Sequence, residues 1–162
     1  MPFRNIFGQE HAIDLIKQAI HRDMMPHSWL FTGQANIGKF KTAVALAQKL
    51  NCSKIGEDAC GKCDFCLQIK EDNFPDFLVL RPEGKFIKID QVRNSLNWLN
   101  LHPDQAKKRV LILDGAENLG REAANAFLKT LEEPALNLSL IHISEPTRRT
   151  PISYAVLCLK KK

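Results

Sequence analysis

The sequence predicts an α/β fold, a parallel sheet flanked by helices on both faces, and three observations lead there. Strand-like and helix-like segments alternate along residues 1–137, as they do where parallel strands are joined by crossover helices. The short apolar stretch "SWLFT" runs directly into the glycine-rich "GQANIGKFKT". Further on, "RVLILDG" reads as a buried strand that ends in an acid.

Each element follows from its pattern. Residues 9–22 place Ala12, Leu15, Ile16, Ala19 and Ile20 on one helical face. Residues 28–32 form the first strand candidate. A helix opens near Gly38 and runs through "TAVALAQKL", with Ala43, Leu46, Ala47 and Leu50 inward. After a cysteine segment, residues 77–82 read as a second strand and residues 89–101 as a helix through Val92, Leu96 and Leu99. Residues 109–115 are the third strand, and "REAANAFLKTLEEP" is a helix stopped by Pro134.

The composition excludes several classes. At 162 residues the chain fits one domain, or one and part of another. Apolar runs such as Val110–Leu113 are far too short to span a bilayer. The opening "MPFRNIFGQE" has no apolar signal core, so a cytoplasmic protein with reduced thiols is expected. The net charge of +5 suggests a nucleic-acid binder, but its distribution argues otherwise. Of 23 basic and 18 acidic side chains, residues 138–162 hold five and one, leaving 18 and 17 for the rest. That near-neutral remainder speaks against a small zinc-module DNA-binding protein, because duplex binding is dominated by phosphate neutralisation.

The tail itself, "LSLIHISEPTRRTPISYAVLCLKKK", can be back-translated to a sequence that resembles a transposase-type sequencing-library adapter. Leu138–Arg148 matches one adapter block, and an index-sized gap follows. "ISYAV" and "CLKKK" then match the second block in the same frame, with Leu157 the one departure. Residues 138–162 are therefore expected to be non-native, and the native chain to be cut near Asn137.

Three motifs carry chemistry. In the pattern G-x-x-x-x-G-K-[ST], Gly33, Gly38 and Lys39 are present. Such a loop cradles phosphates with its backbone N–H groups, and its lysine reaches the β/γ oxygens. Phe40 stands where a hydroxyl should hold magnesium. Lys41 and Thr42 lie too far along to replace it simply. Asp114, at the end of the third strand, is where a P-loop enzyme places a carboxylate beside the metal. Gly115 follows it, where many such ATPases carry a glutamate that orients water. Glu117 lies on a turn expected to point it elsewhere. Cys52, Cys60, Cys63 and Cys66, spaced C-x7-C-x2-C-x2-C, suit a structural tetrahedral zinc, with an iron–sulfur cluster as the rival.

Together these residues resemble the bacterial clamp-loader AAA+ family. "FGQEHAIDLIKQAI", "MPHSWLFTG", "GKFKTAVALAQKLNC" and the cysteines follow its order, and "KIDQVRNSLNWL" and "AANAFLKTLEEP" look most like its delta-prime branch. The resemblance covers residues 3–137. It implies an AAA+ domain with an inserted zinc module at 52–66, incomplete here in its C-terminal strands and lid domain. It implies a non-hydrolysing subunit of the DNA polymerase III holoenzyme that helps load the sliding clamp onto primed DNA. Its partners would be the gamma/tau and delta subunits, and the clamp and DNA through the complex. The Ser-Arg-Cys motif that lends an arginine to a neighbour's nucleotide would lie beyond Asn137. ATP or ADP binding by Gly33, Gly38, Lys39 and Asp114 would be weak or vestigial, and structural zinc would sit on the four cysteines. The alternative is an ATP-hydrolysing gamma/tau-like subunit, in which Thr at position 40 and Glu at 115 are expected. The family's strand order, 5-1-4-3-2, leaves the fourth position vacant once residues 138–162 are set aside. The alternating "LSLIHIS" is expected to fill it, parallel to strands 1 and 3, with residues 146–162 unpacked.

Overall fold

The computed structural model describes residues 2–132, 138–144 and 155–158. Helix α1 spans Glu10–His21, strand β1 Ser28–Thr32, α2 Lys39–Asn51, α3 Asp64–Lys70, β2 Phe77–Leu80 and α4 Ile89–Leu99. Strand β3 spans Arg109–Asp114, α5 Arg121–Glu132, β4 Leu138–Ser144 and β5 Ala155–Cys158. The sheet order is β2-β3-β4-β1-β5, with every pairing parallel.

Alternation along the strands explains the two covered faces, because successive side chains point to opposite sides. Val110 and Ile112 of β3 join Trp29, Phe31, Ile141 and Ile143 in a core under α1 and α2. Leu111 and Leu113 join Leu80 and Leu140 in a second core under α4 and α5. Phe31, Leu111, Ile112 and Leu113 are fully buried, each contributing roughly 1.5–3 kcal/mol relative to an exposed side chain.

Leu138–Ser144 lies between β1 and β3, parallel to both, as its alternation implies. Gly115 N–H also donates to Ile143 O at 3.1 Å, extending that ladder. Two expectations are corrected. Residues 155–158 are not without packed structure, since they pair with β1 in register from Trp29↔Ala155 to Thr32↔Cys158. The free edge of β1 offers N–H and C=O groups that any extended, β-branched segment can satisfy, so backbone pairing asks little of the sequence. On α1, Leu15 is 41% exposed and Ile13 is buried in its place beside Ala12 and Ile16. The apolar stripe is therefore rotated from the one expected. Residues 145–154 and 159–162 lie outside the described residues.

Candidate functional site

The glycine-rich loop joins β1 to α2, and its shape is set by Gly38. That residue caps α2 with φ at 97°, in the left-handed region open to glycine at no steric cost. No side chain caps α2, so its first N–H groups face a cavity of about 490 Å³. The cavity is lined by Gly38, Lys39, Phe40, Asp114, Gly115 and Glu117, among others. Gly38, Lys39 and Asp114 are thus brought to one place, while Gly33 lies outside the cavity lining and meets Lys39 through its carbonyl. A helix N-terminus with free N–H groups and a lysine at its edge can take an anion such as a phosphate.

The details set limits on the chemistry. Lys39 is buried, and its Nζ donates to Gly33 O at 2.6 Å and Gln34 O at 2.7 Å. Thr42 turns its hydroxyl back to Gly38 O at 3.0 Å, so it offers no substitute for the oxygen missing at position 40. Gly115 has φ at 85°, and a Cβ there would come within 2.8 Å of Asn118 Nδ2. A glutamate at 115 would therefore be strained in this backbone. Glu117, expected to point elsewhere, is carried by the 3₁₀ turn Ala116–Asn118 to the cavity wall.

A residue that the sequence patterns did not single out stands beside this site. Arg81 follows β2, and its guanidinium lies 4.9 Å from the centre of the Phe40 ring. Its Nε is 3.5 Å from Asp114 Oδ2, and its Nη1 is 3.8 Å from Asp72 Oδ2. The signal was present in "FLVLRP", where an arginine closes the strand neighbouring β3, but it requires knowing that β2 and β3 are adjacent.

The cysteines form the second centre. The sulfurs of Cys52, Cys60, Cys63 and Cys66 all lie within 4.8 Å of one another. Tetrahedral zinc with bonds of about 2.3 Å needs sulfurs about 3.8 Å apart, so the donor set fits one metal ion with little movement. Backbone N–H groups already point at the sulfurs: Cys60 N to Cys52 Sγ at 3.4 Å, and Cys63 N to Cys60 Sγ at 3.3 Å. The N–H groups of Lys62 and Cys63 hold the Cys60 thiol below its usual value. Burial opposes ionisation of Cys63, but hydrogen bonds from Ser53 and Cys66 outweigh it and bring that thiol to about 6. Burial pushes the Cys66 thiol far up. Short helix α3, which the sequence reading did not anticipate, supplies Cys66. Asp58 seats the module on the N-terminal segment, accepting from Phe3 N at 2.8 Å and Arg4 N at 3.2 Å.

Among the described residues, no helix is long and apolar enough to cross a membrane.

A parallel sheet covered on both faces, with a glycine-lysine loop after its first strand and an acid closing its third, defines the class as a parallel α/β domain flanked by helices. Residues 8–150 match the family model for the DNA polymerase III delta subunit. The chain belongs to that family, whose members are clamp-loader subunits of DNA polymerase III. It is 37% identical over 123 residues to the DNA polymerase III subunit delta' of Haemophilus influenzae, covering 75% of this chain and 38% of the relative. It is 29% identical over 159 residues to the subunit tau of Salmonella typhimurium, covering 98% of this chain and 25% of that one. The chain thus spans a quarter to well under half of these relatives. A gamma subunit-related protein of Thermotoga maritima shares the fold, with a TM-score of 0.56 at 22% identity over 83% of this chain and 39% of that one.

Proposed function

We propose that the chain acts as a non-hydrolysing subunit of a clamp loader, assembled with gamma/tau- and delta-type subunits to place a sliding clamp on primed DNA. The observation that carries this reading is Phe40 at the cavity wall beside Asp114, where a metal-binding hydroxyl is required for turnover. Gly115 adds to it, because its left-handed backbone leaves no relaxed place for a water-orienting glutamate. Gly33, Gly38, Lys39 and Asp114 then form a phosphate site that is vestigial for turnover, and the four cysteines a structural zinc site.

The experiment is reconstitution with gamma/tau, delta, clamp and primed DNA, followed by phosphate release. Replacing Lys39 in this chain by Ala should leave the complex's ATP turnover within about twofold of wild type, since the motor subunits supply it. Turnover by this chain alone, stimulated by DNA and clamp and abolished by K39A, would establish the gamma/tau-like alternative.

We likewise propose that residues 138–162 are translated adapter and foreign to the family. Supporting this, β4 lies at the centre of a parallel sheet yet buries Ser139 and His142. Ser139 Oγ has no hydrogen-bond partner, which typically costs about 1–3 kcal/mol. The family match itself extends to residue 150. Amplifying genomic DNA across the Asn137 codon tests it: a native strand sequence differing from "LSLIHIS" is expected, and recovery of the same codons would refute it.

A further inference from the structure

We propose that Arg81 is the counter-cation of Asp114 at the phosphate site. It lines the neighbouring hollow across Phe40 and not the phosphate cavity itself, and from there it pairs with the acid that would otherwise call for a divalent metal, so the site takes a nucleoside polyphosphate without metal. This rests on the reading that Gly33–Lys39 hold the phosphates, and it adds a residue and a charge arrangement to it.

In a phosphate loop the metal is held between the hydroxyl after the lysine and the acid at the strand end. Arg81 touches both of those positions here. Its guanidinium lies over the Phe40 ring at 4.9 Å, a cation–π arrangement that uses the aromatic replacing the hydroxyl. Its Nε faces Asp114 at 3.5 Å. The same aromatic that forfeits a metal ligand therefore creates a seat for a guanidinium.

The backbone beneath Arg81 is fixed. Gln91 Nε2 donates to Arg81 O at 3.2 Å, and Pro82 follows directly. The side chain is 50% exposed and also faces Asp72 at 3.8 Å, which holds it in the hollow next to the phosphate cavity, where it acts on the phosphates through Asp114.

The electrostatic consequence is specific. Asp114 borders the cavity that the phosphates would enter, and two anions side by side repel. A metal ordinarily neutralises that acid, and here a guanidinium does so. Removing Arg81 uncovers Asp114 and should make binding depend on a divalent cation.

The test uses the full chain and a fluorescent ADP, titrated in excess EDTA or in magnesium, with manganese binding followed by electron paramagnetic resonance. For wild type, equal affinity in both buffers and no protein-bound manganese are expected. For Arg81→Ala, affinity in EDTA should fall about tenfold, the worth of one charged hydrogen bond, and divalent metal should restore it with a bound-manganese signal. Arg81→Met keeps an apolar stem over Phe40 without the charge and serves if the alanine variant fails to fold. Magnesium-dependent binding by wild type, or a charge-less variant binding as tightly as wild type in EDTA, overturns the proposal. Absence of ADP binding by wild type in either buffer also overturns it. The clamp-loader reading would stand in that event, because phosphate release by the assembled complex measures it separately.

Discussion

Replacing Asp76 by Ala should destabilise the domain more than any change in the phosphate loop. Asp76 is fully buried. Its carboxylate accepts backbone N–H groups from Asp104 at 2.9 Å, Gln105 at 2.8 Å and Ala106 at 2.9 Å, and Arg109 Nε at 2.9 Å. Arg109 is itself only 6% exposed, stacks on Trp98 at 4.9 Å and donates to Trp98 O. Truncating Asp76 leaves a buried guanidinium without its anion, which costs about 3–5 kcal/mol. The orphaned N–H groups add to that, though not additively. Against a typical total of about 5–15 kcal/mol the loss is severe. Asp76 also holds the start of β2 to the start of β3 through its own carbonyl, which accepts Val110 N–H at 3.0 Å. The far ends of those strands carry Arg81 and Asp114, so the site should loosen with the fold.

Urea unfolding at pH 7 measures the loss. A change in midpoint equivalent to under about 1 kcal/mol would refute the argument that this network is tightly coupled. A pH series provides the second check. Burial alone would raise the Asp76 carboxyl, but the backbone N–H groups and Arg109 outweigh it and hold it below the usual range. Stability from Asp76 is therefore present above the unfolded value of about 3.9 and is lost as pH falls through the folded value. The gap between wild type and Asp76→Asn should stay constant from neutral pH down to about 4 and shrink only below it.

Two further outcomes are expected. Purified chain should carry one zinc per molecule by plasma mass spectrometry, and Cys66→Ser or chelation should release it and expose the Asp58–Phe3 seat to hydrogen exchange while sparing the Gly33 loop; protection unchanged around Phe3 would count against a structural role. Burial brings His142 down to about 4 from 6.5, so the unfolded chain takes its proton first. Stability should fall between pH 6.5 and 4 by about 3 kcal/mol, and His142→Leu should flatten that limb of the curve.

The sequence was most informative where the physics is local. Strand β1 runs from Ser28 to Thr32 and β3 from Arg109 to Asp114, because short apolar runs bounded by polar residues leave little choice of limits. Cys60, Cys63 and Cys66 converge because C-x2-C steps bring sulfurs together, and Cys52 joins them from the C-terminal end of α2. Illegible features depend on which strands are neighbours. Arg81 and Asp114 are distant in sequence and meet only because β2 pairs with β3, and the Asp76–Arg109 pair has the same origin. Leu15 was misplaced for a related reason: helical periodicity gives the width of an apolar stripe, whereas tertiary packing chooses its phase.

A glycine-lysine loop is weaker evidence for turnover than the residues immediately after it. Lys39 is buried and closes the loop on itself through the Gly33 and Gln34 carbonyls. Its Nζ therefore satisfies two backbone acceptors that would otherwise be stranded at a strand-to-helix junction. Gly38 supplies a left-handed turn at the start of α2 that a side chain would strain. Both residues are needed for β1 to hand over to α2, with or without a nucleotide. The residues at 40 and 115 fit their surroundings in other ways: Phe40 packs on the core beside α2, and Gly115 takes a left-handed turn after β3. On the proposed reading, neither supplies what turnover requires, a hydroxyl for the metal or an acid for the attacking water. Within one fold, the loop's survival reports on architecture, and its neighbours report on catalysis.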